Sequence, residues 1–309
     1  VEKMTDNFFD QYLKSYLEYE AEFGFGLSQA REEIKTLSVK KGDSVANIGI
    51  NWGHFLKMIL DTTEEVKVTG VDNCQTMLDL SKAVFSPSLD SLNIWLTKFS
   101  TPTKNYLRQL HQEAGKYSRQ VDFIYSSAVE LSTSGRVFDK IAATMGYHWL
   151  EQPKTKAFSS MNQSLREGGI VTFSTASAFF ECQSGDYSFT LNPYYQSFFD
   201  EFKRISGKED DSKIIPPVKF TLDEIVSLIR DSGFELESYH EHQIPIPEEV
   251  IDGVCIAGLK FRYSNKNSQV LTNYIESTLK EVKSKYRYGD YQQQLEICPI
   301  FRLRKVKEL

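Results

Sequence analysis

Short β-branched runs alternating with longer amphipathic stretches predict an α/β fold built on a mainly parallel sheet. Two further observations agree with that class. Each β-like run is close to continuously apolar, as expected of strands covered on both faces. The 309 residues, 40% hydrophobic and 25% charged, also have an ordinary globular mix and enough length to bury a sizeable core.

The strands are expected at Ser44–Gly49, Val66–Val71, Val121–Tyr125, Phe138–Ala143 and Ile170–Thr175. Helices are expected between them near Gly53–Leu60, Gln75–Val84 and Pro153–Arg166. Thr221-Leu-Asp-Glu224 has the form of a capping box. The stripe Ile225, Leu228, Ile229 follows it, and Gly233 stands where a helix stop belongs. Strands at Phe234–His240 and Pro299–Lys307 would complete the sheet. Three regions break the alternation: the Tyr- and Phe-rich helical stretch up to Leu37, the long connection Ser86–Gln120, and Ala178–Val218. A further helical stretch, Gln269–Lys285, precedes the last strand. The whole reads as one Rossmann-like, mainly parallel seven-stranded α/β domain with an antiparallel last strand and helical cap insertions. Its parts are an N-terminal cap (1–40), a core (41–177), a cap insertion (178–220) and a C-terminal return to the core with a helical lid segment (221–309).

Composition narrows the function. With 36 basic against 42 acidic residues and a net charge of −6, the chain has no general attraction for a phosphate backbone, so nucleic acid is not expected as a partner. No apolar run approaches the ~18 residues of a spanning helix. Cys74, Cys182, Cys255 and Cys298 are scattered without a CxxC pair, so neither a zinc site nor a disulfide framework is expected and a reducing cytoplasm fits. The sequence begins at Val1 rather than Met, which leaves a removed leader open. Nothing in it assigns an oligomeric state.

The chemistry concentrates in Lys41-Gly-Asp-Ser-Val-Ala-Asn-Ile-Gly-Ile-Asn-Trp-Gly53, where a strand runs through a turn with Gly49 and Gly53 into a helix. Glycine lets such a backbone bend tightly and approach a ligand. Ligands of open α/β sheets bind beyond the carboxyl ends of the strands. The next strand ends at Asp72, 19 residues after Gly53, where a carboxylate can accept both hydroxyls of a ribose. Asn51 and His54 stand where a dinucleotide fingerprint would need glycine, and no triphosphate loop is present. The alternative is a tight turn without a ligand.

Gly42–Gly53 resembles the first motif of class I S-adenosylmethionine-dependent methyltransferases, usually close to GDxVLDIGCGWG. Val71-Asp-Asn-Cys-Gln-Thr-Met-Leu78 is similar to their second motif. Phe138–Leu150, with its His148-Trp149 pair, is similar to the fourth-strand motif of the small-molecule branch, as in trans-aconitate and quinone-biosynthesis methyltransferases. Leu165-Arg-Glu-Gly-Gly169 resembles the turn before the fifth strand. The resemblance spans about Gly42 to Thr175 and implies S-adenosyl-L-methionine as cofactor; the large inserted lids favour a small methyl acceptor, and their aromatic clusters an apolar or aromatic-containing one. The resemblance also implies roles. Gly49 and Gly53 would pass the methionine portion, Asp72 would hold the ribose, and Asn73 or Met77 would lie against the adenine. Ser127 and Ala128 would meet the adenine amine and ring, and Thr144 would complete the cofactor set. Asn47 and Asn51 replace the family's acid and middle glycine; an amide keeps an acceptor but loses the charge-assisted part of the bond. That replacement motivates two alternatives: a binding protein that does not methylate, serving as regulator or scaffold, and an enzyme using the same cofactor for another reaction.

If the acceptor keeps its proton at neutral pH, a base is needed, and His148 is the candidate, with Tyr147 as a second catalytic residue that orients or deprotonates substrate. Against these stand a hydrogen-bonded structural histidine and simple packing. His240 and His242 share a strand face without an evident third ligand, so no metal is expected. His54 is expected to make a local capping contact, and His111 is uninformative. Tyr12, Tyr16, Tyr19, Phe23 and Phe25, with Tyr187, Phe189, Tyr194, Tyr195, Phe198, Phe199 and Phe202, either roof an apolar pocket or bury the cap. Arg302, Arg304, Lys305 and Lys307 read as an exposed strand face.

Overall fold

A computed structural model describes residues 17–18, 20–21, 24–144, 146–147, 150, 152–183, 193–207, 219–245, 251–253, 255–256, 268–285 and 295–306. The strands are β1 (Ser44–Ile48), β2 (Lys67–Asp72), β3 (Val121–Tyr125), β4 (Phe138–Ala143), β5 (Leu165–Ser174), β6 (Phe234–Pro245) and β7 (Leu295–Lys305). They form one seven-stranded sheet in the order β3-β2-β1-β4-β5-β7-β6. Neighbours from β3 to β5 are parallel, whereas β7 runs antiparallel to both β5 and β6. The expected sheet is therefore present, with the antiparallel strand inserted before the edge strand.

The helices are α1 (Phe25–Leu37), α2 (His54–Leu60), α3 (Gln75–Phe85), α4 (Asp90–Leu96), α5 (Thr101–Ala114), α6 (Lys154–Gln163), α7 (Pro193–Ser206), α8 (Leu222–Asp231) and α9 (Ser268–Lys285). Residue alternation along the strands sends side chains to two separate cores. Val45, Ala142 and Ile170 face α1, α2, α3 and α5, while Ala46, Ile141, Val171, Phe173 and Phe301 face α6 and α8. The connection Ser86–Gln120 proves to be α4 and α5 packed on α3, with His111 buried and its Nδ1 3.0 Å from the Val84 carbonyl. At α8, Thr221 and Glu224 close the expected capping box, and Gly233 ends the helix region at φ 79°.

Two expectations are corrected by position in the sheet. The helix expected to reach Arg166 stops at Gln163, because β5 already pairs with β4 at Leu165. The basic residues of the last strand are only in part the exposed face expected: Arg304 is 48% exposed while Arg302 and Lys305 are half-buried, and all three are engaged. Arg302 pairs with Glu237 at 2.7 Å and also donates to the Thr36 carbonyl, and Arg304 pairs with Glu237. Lys305 donates to the carbonyls of Asn162 and Leu165 at 2.8 and 2.9 Å. Lys307 lies outside the described residues. With Lys140, which donates to the carbonyls of Leu37 and Ser38, Arg302 satisfies the C-terminal end of α1, where free carbonyls and the helix dipole favour cations.

The aromatic side chains of α7 bury the cap rather than standing free. Tyr194, Phe198, Phe199 and Phe202 are buried, α7 packs on α9, and Tyr194 donates to Asp252 at 2.7 Å. Tyr12, Tyr16, Tyr19, Phe23, Tyr187 and Phe189 lie outside the described residues, as do the side chains of Phe25 and Tyr195. Among the described residues, no helix is long and apolar enough to cross a membrane.

Candidate cofactor and acceptor site

At the carboxyl end of β1 the chain turns through three left-handed residues: Gly49 (φ 74°), Asn51 (φ 52°) and Gly53 (φ 90°). Asparagine is one of the few side chains that tolerate this region, so Asn51 keeps the backbone path of the glycine it replaces. Its carbonyl accepts from Ser81 Oγ at 2.9 Å, and Trp52 Nε1 donates to Tyr106 on α5 at 3.3 Å, tying the turn to the inserted helices. The two glycines differ in their surroundings. A Cβ on Gly49 would meet nothing within 4 Å, whereas one on Gly53 would lie 2.9 Å from Phe85.

Asp72 points at this turn. Its two oxygens accept from Ile50 N at 3.0 Å and Cys74 N at 2.9 Å, and the carboxyl is almost fully buried. Burial raises its pKa to about 6 against the opposing pull of the Cys74, Ile50, Asn51 and Asn73 amides, so it is mainly ionised at neutral pH. Asn73 is exposed beside it.

Around the turn, buried polar atoms without partners gather. Asn47, wholly buried, donates through Nδ2 to the Ala142 carbonyl at 3.4 Å, while its Oδ1 has no partner. Ser127 Oγ, after β3, and Thr144 Oγ1, after β4, are likewise buried and unpaired, and Ala128 is buried next to Ser127. Such groups cost roughly 1–3 kcal/mol each when left unsatisfied, so a cluster of them marks a place where a partner belongs.

No family model matches the sequence, and no curated protein matches it. Solved structures do. A "putative methyltransferase" from Bacillus halodurans superimposes with a TM-score of 0.50 at 15% identity, covering 91% of this chain and 100% of that one. The Haloferax volcanii complex between the Trm112 methyltransferase activator and "the putative methyltransferase" gives 0.50 at 12%, covering 99% and 100%. The MccD protein gives 0.50 at 12%, covering 90% and 96%. The fold is that of the class I methyltransferases.

Within this methyltransferase fold the remaining candidate residues separate. Met77 is buried in the apolar cluster under α3, away from the exposed position of Asn73. Tyr147 corrects the catalytic expectation. It is 1% exposed, stacks on Phe173 at 5.2 Å and meets Phe220 edge-on, and burial pushes its phenol far above the ordinary range. A phenol so held is a core ring rather than a base near neutral pH. His148 lies outside the described residues. Next to this loop, Lys154 is buried with its Nζ 4.4 Å from the centre of the Tyr147 ring and donates to the Tyr147 carbonyl at 2.5 Å; burial lowers its pKa to about 8. Among the described residues, no three metal-ligating side chains gather.

His54 also departs from expectation. It caps nothing: the ring is buried, lies stacked on Trp52 at 4.7 Å and tilted against Phe55 at 3.8 Å, and neither nitrogen has a partner. Burial lowers its pKa to about 3, so it stays neutral in the native state while the unfolded chain takes up a proton below about 6.5. The unfolded state then binds more protons between pH 6.5 and 3, and stability falls as the pH falls through that window. His54→Phe is therefore expected to raise Tm at pH 7 and to raise it further at pH 5, by about 2 kcal/mol more in stability. Parallel thermal melts check this; an equal change at both pH values removes the neutral-histidine account.

The polar groups that sequence reasoning missed lie on α1. Gln29 and Glu33, both wholly buried, face β4 and β5. Glu33 accepts from Ser174 Oγ and, at 3.4 Å, from Thr172 Oγ1. The only sequence signal for them is a Gln and a Glu spaced i, i+4 on the helix face that packs on the sheet.

Proposed function

We infer that the chain is an S-adenosylmethionine-dependent methyltransferase acting on a small molecule in the cytoplasm. One observation carries the reading: the unpartnered buried atoms of Asn47, Ser127 and Thr144 converge on the end of the sheet where Asp72 holds a left-handed turn with open space over Gly49. These residues fit the cofactor. Asp72 would take the ribose hydroxyls, Ser127 and Ala128 the adenine edge, Asn73 its face, and Asn47 Oδ1 with the Gly49–Gly53 backbone and Thr144 the amino-acid portion. S-adenosylmethionine supplies a methyl group on a sulfonium, an electrophile strong enough that positioning is the main task left to the protein. The chain's own part is then to orient, to keep the Asp72 carboxylate ionised through the Ile50 and Cys74 amides, and to exclude water with α1 and the inserted helices. His148 remains the proposed base.

The low net charge supports a small acceptor over a nucleic acid. An apolar or aromatic acceptor has the support of the aromatic content of α7 alone, and those rings are already used in packing. Calorimetry with S-adenosylmethionine, S-adenosylhomocysteine and NAD tests the reading. Binding of the first two is expected; binding of NAD alone overturns it. Release of S-adenosylhomocysteine on incubation with small-molecule libraries separates an enzyme from a binding scaffold.

A further inference from the structure

We propose that the polar layer between α1 and the carboxyl ends of β4 and β5 is a subsite for a protonated amine, the group that carries the methyl acceptor. The proposal rests on the methyltransferase reading for the amine's fate, though not for its binding. The first face of the sheet begins apolar, with Val45, Ala142 and Ile170 in the core under α1. By strand alternation, Asn47, Thr144, Thr172 and Ser174 continue the same face toward the glycine turn, and every one of them is polar and buried. Opposite them, α1 presents Gln29 and Glu33 where a packing helix would ordinarily present apolar side chains.

This layer lacks one kind of partner. Glu33 is wholly buried and, among the described residues, pairs with no lysine, arginine or histidine; it accepts from the hydroxyls of Ser174 and Thr172, with weaker hydrogen bonding from Thr144 and the Ala143 backbone, and burial raises its pKa to about 7. A buried carboxylate without a cation is expensive, and buried charges in proteins are normally paired. Both amide atoms of Gln29 have no partner, and the hydroxyl of Thr144 has no close one beyond its weak approach to Glu33. Gln29 Oε1 lacks a donor and Glu33 lacks a cation, while Gln29 Nε2, itself a donor, lacks an acceptor that an ammonium does not supply. An ammonium has three N–H donors and no acceptor, matching the Glu33 carboxylate, Gln29 Oε1 and Thr144 Oγ1. An anion would be repelled by ionised Glu33, an apolar group would leave Gln29 Oε1 without a donor and Glu33 without a cation, and a hydroxyl would supply one donor. The layer adjoins the cofactor end, because Asn47 is in register with Ala142, two residues before Thr144.

Direct binding to the full-length protein tests this. Benzylamine and butylamine, each against the alcohol of the same skeleton, would be titrated by ligand-observed NMR with and without S-adenosylhomocysteine. The amines are expected to bind at least tenfold more tightly than the alcohols, and Glu33→Gln is expected to abolish that preference. Gln29→Met has no hydrogen bond to lose; it is expected to fold, raise Tm, and weaken the amines at least threefold. Amines that bind no better than alcohols, or not at all, overturn the proposal, as does a preference untouched by Glu33→Gln. Calorimetry with S-adenosylmethionine on the same samples keeps the two readings apart. Cofactor binding without amine preference removes the subsite alone, whereas amine preference without cofactor binding leaves the subsite standing and removes the methyltransferase reading.

Discussion

Asp72→Ala is expected to weaken S-adenosylmethionine binding by at least tenfold while also destabilising the fold by about 2–4 kcal/mol. Two different losses produce these effects. The affinity falls because a ribose can no longer place both hydroxyls on one carboxylate. The stability falls because Ile50 N and Cys74 N, now bonded at 3.0 and 2.9 Å, lose a charged acceptor in a buried setting. The raised pKa of about 6 adds a pH signature. Between about pH 4 and 6 the native carboxyl holds a proton that the unfolded chain has released, so its contribution to stability falls as the pH rises through that window. The alanine variant loses that slope. Calorimetry at a temperature where the variant remains folded, with a thermal melt beside it, separates the two effects; unchanged cofactor affinity would falsify the assignment of Asp72.

Gly53 and Gly49 are expected to fail in opposite ways when replaced by alanine. At Gly53 a Cβ would lie 2.9 Å from Phe85 and 3.4 Å from Ser81, on a backbone with φ 90°. The left-handed conformation costs about 1–2 kcal/mol and the forced contact about 1–3 kcal/mol more. Gly53→Ala is thus expected to lose about 2–4 kcal/mol of stability. At Gly49 the φ of 74° carries the same backbone cost, but the added methyl enters open space. Gly49→Ala is expected to fold, to lose only about 1–2 kcal/mol, and to lose cofactor affinity more than tenfold. Denaturant unfolding and calorimetry on the pair read the contrast. Full affinity in the folded Gly49 variant would mean that the open space holds no ligand.

The elements legible in the sequence were those fixed by local pattern. Parallel strands announced themselves through continuous apolar runs, the capping box through Thr221 and Glu224, and the turn through its glycines and the spacing to Asp72. What stayed hidden depended on distant neighbours. Arg302 looks exposed when an internal strand is taken for an outer one, and nothing in residues 295–305 states which strands will flank it. His54 follows a turn and so resembles a cap, yet the rings of Trp52 and Phe55 decide its surroundings. Tyr147 stands in a motif next to His148, but Phe173 and Phe220, both distant in sequence, make it part of the core. The acceptor layer was least visible. Glu33 becomes meaningful only against Thr172 and Ser174, which lie about 140 residues further along the chain.

The place of β7 governs how the chain is assembled as it leaves the ribosome. Among the described residues, β6 has no neighbour in the sheet other than β7, and β7 covers the otherwise bare edge of β5. Until residues 295–305 have been synthesised, β5 therefore ends in unpaired amides and carbonyls that invite wrong strands, while β6 waits for a partner 50 residues downstream. The first five strands can zip up in translation order; closing the sheet is postponed to a late event that threads one strand between two already made.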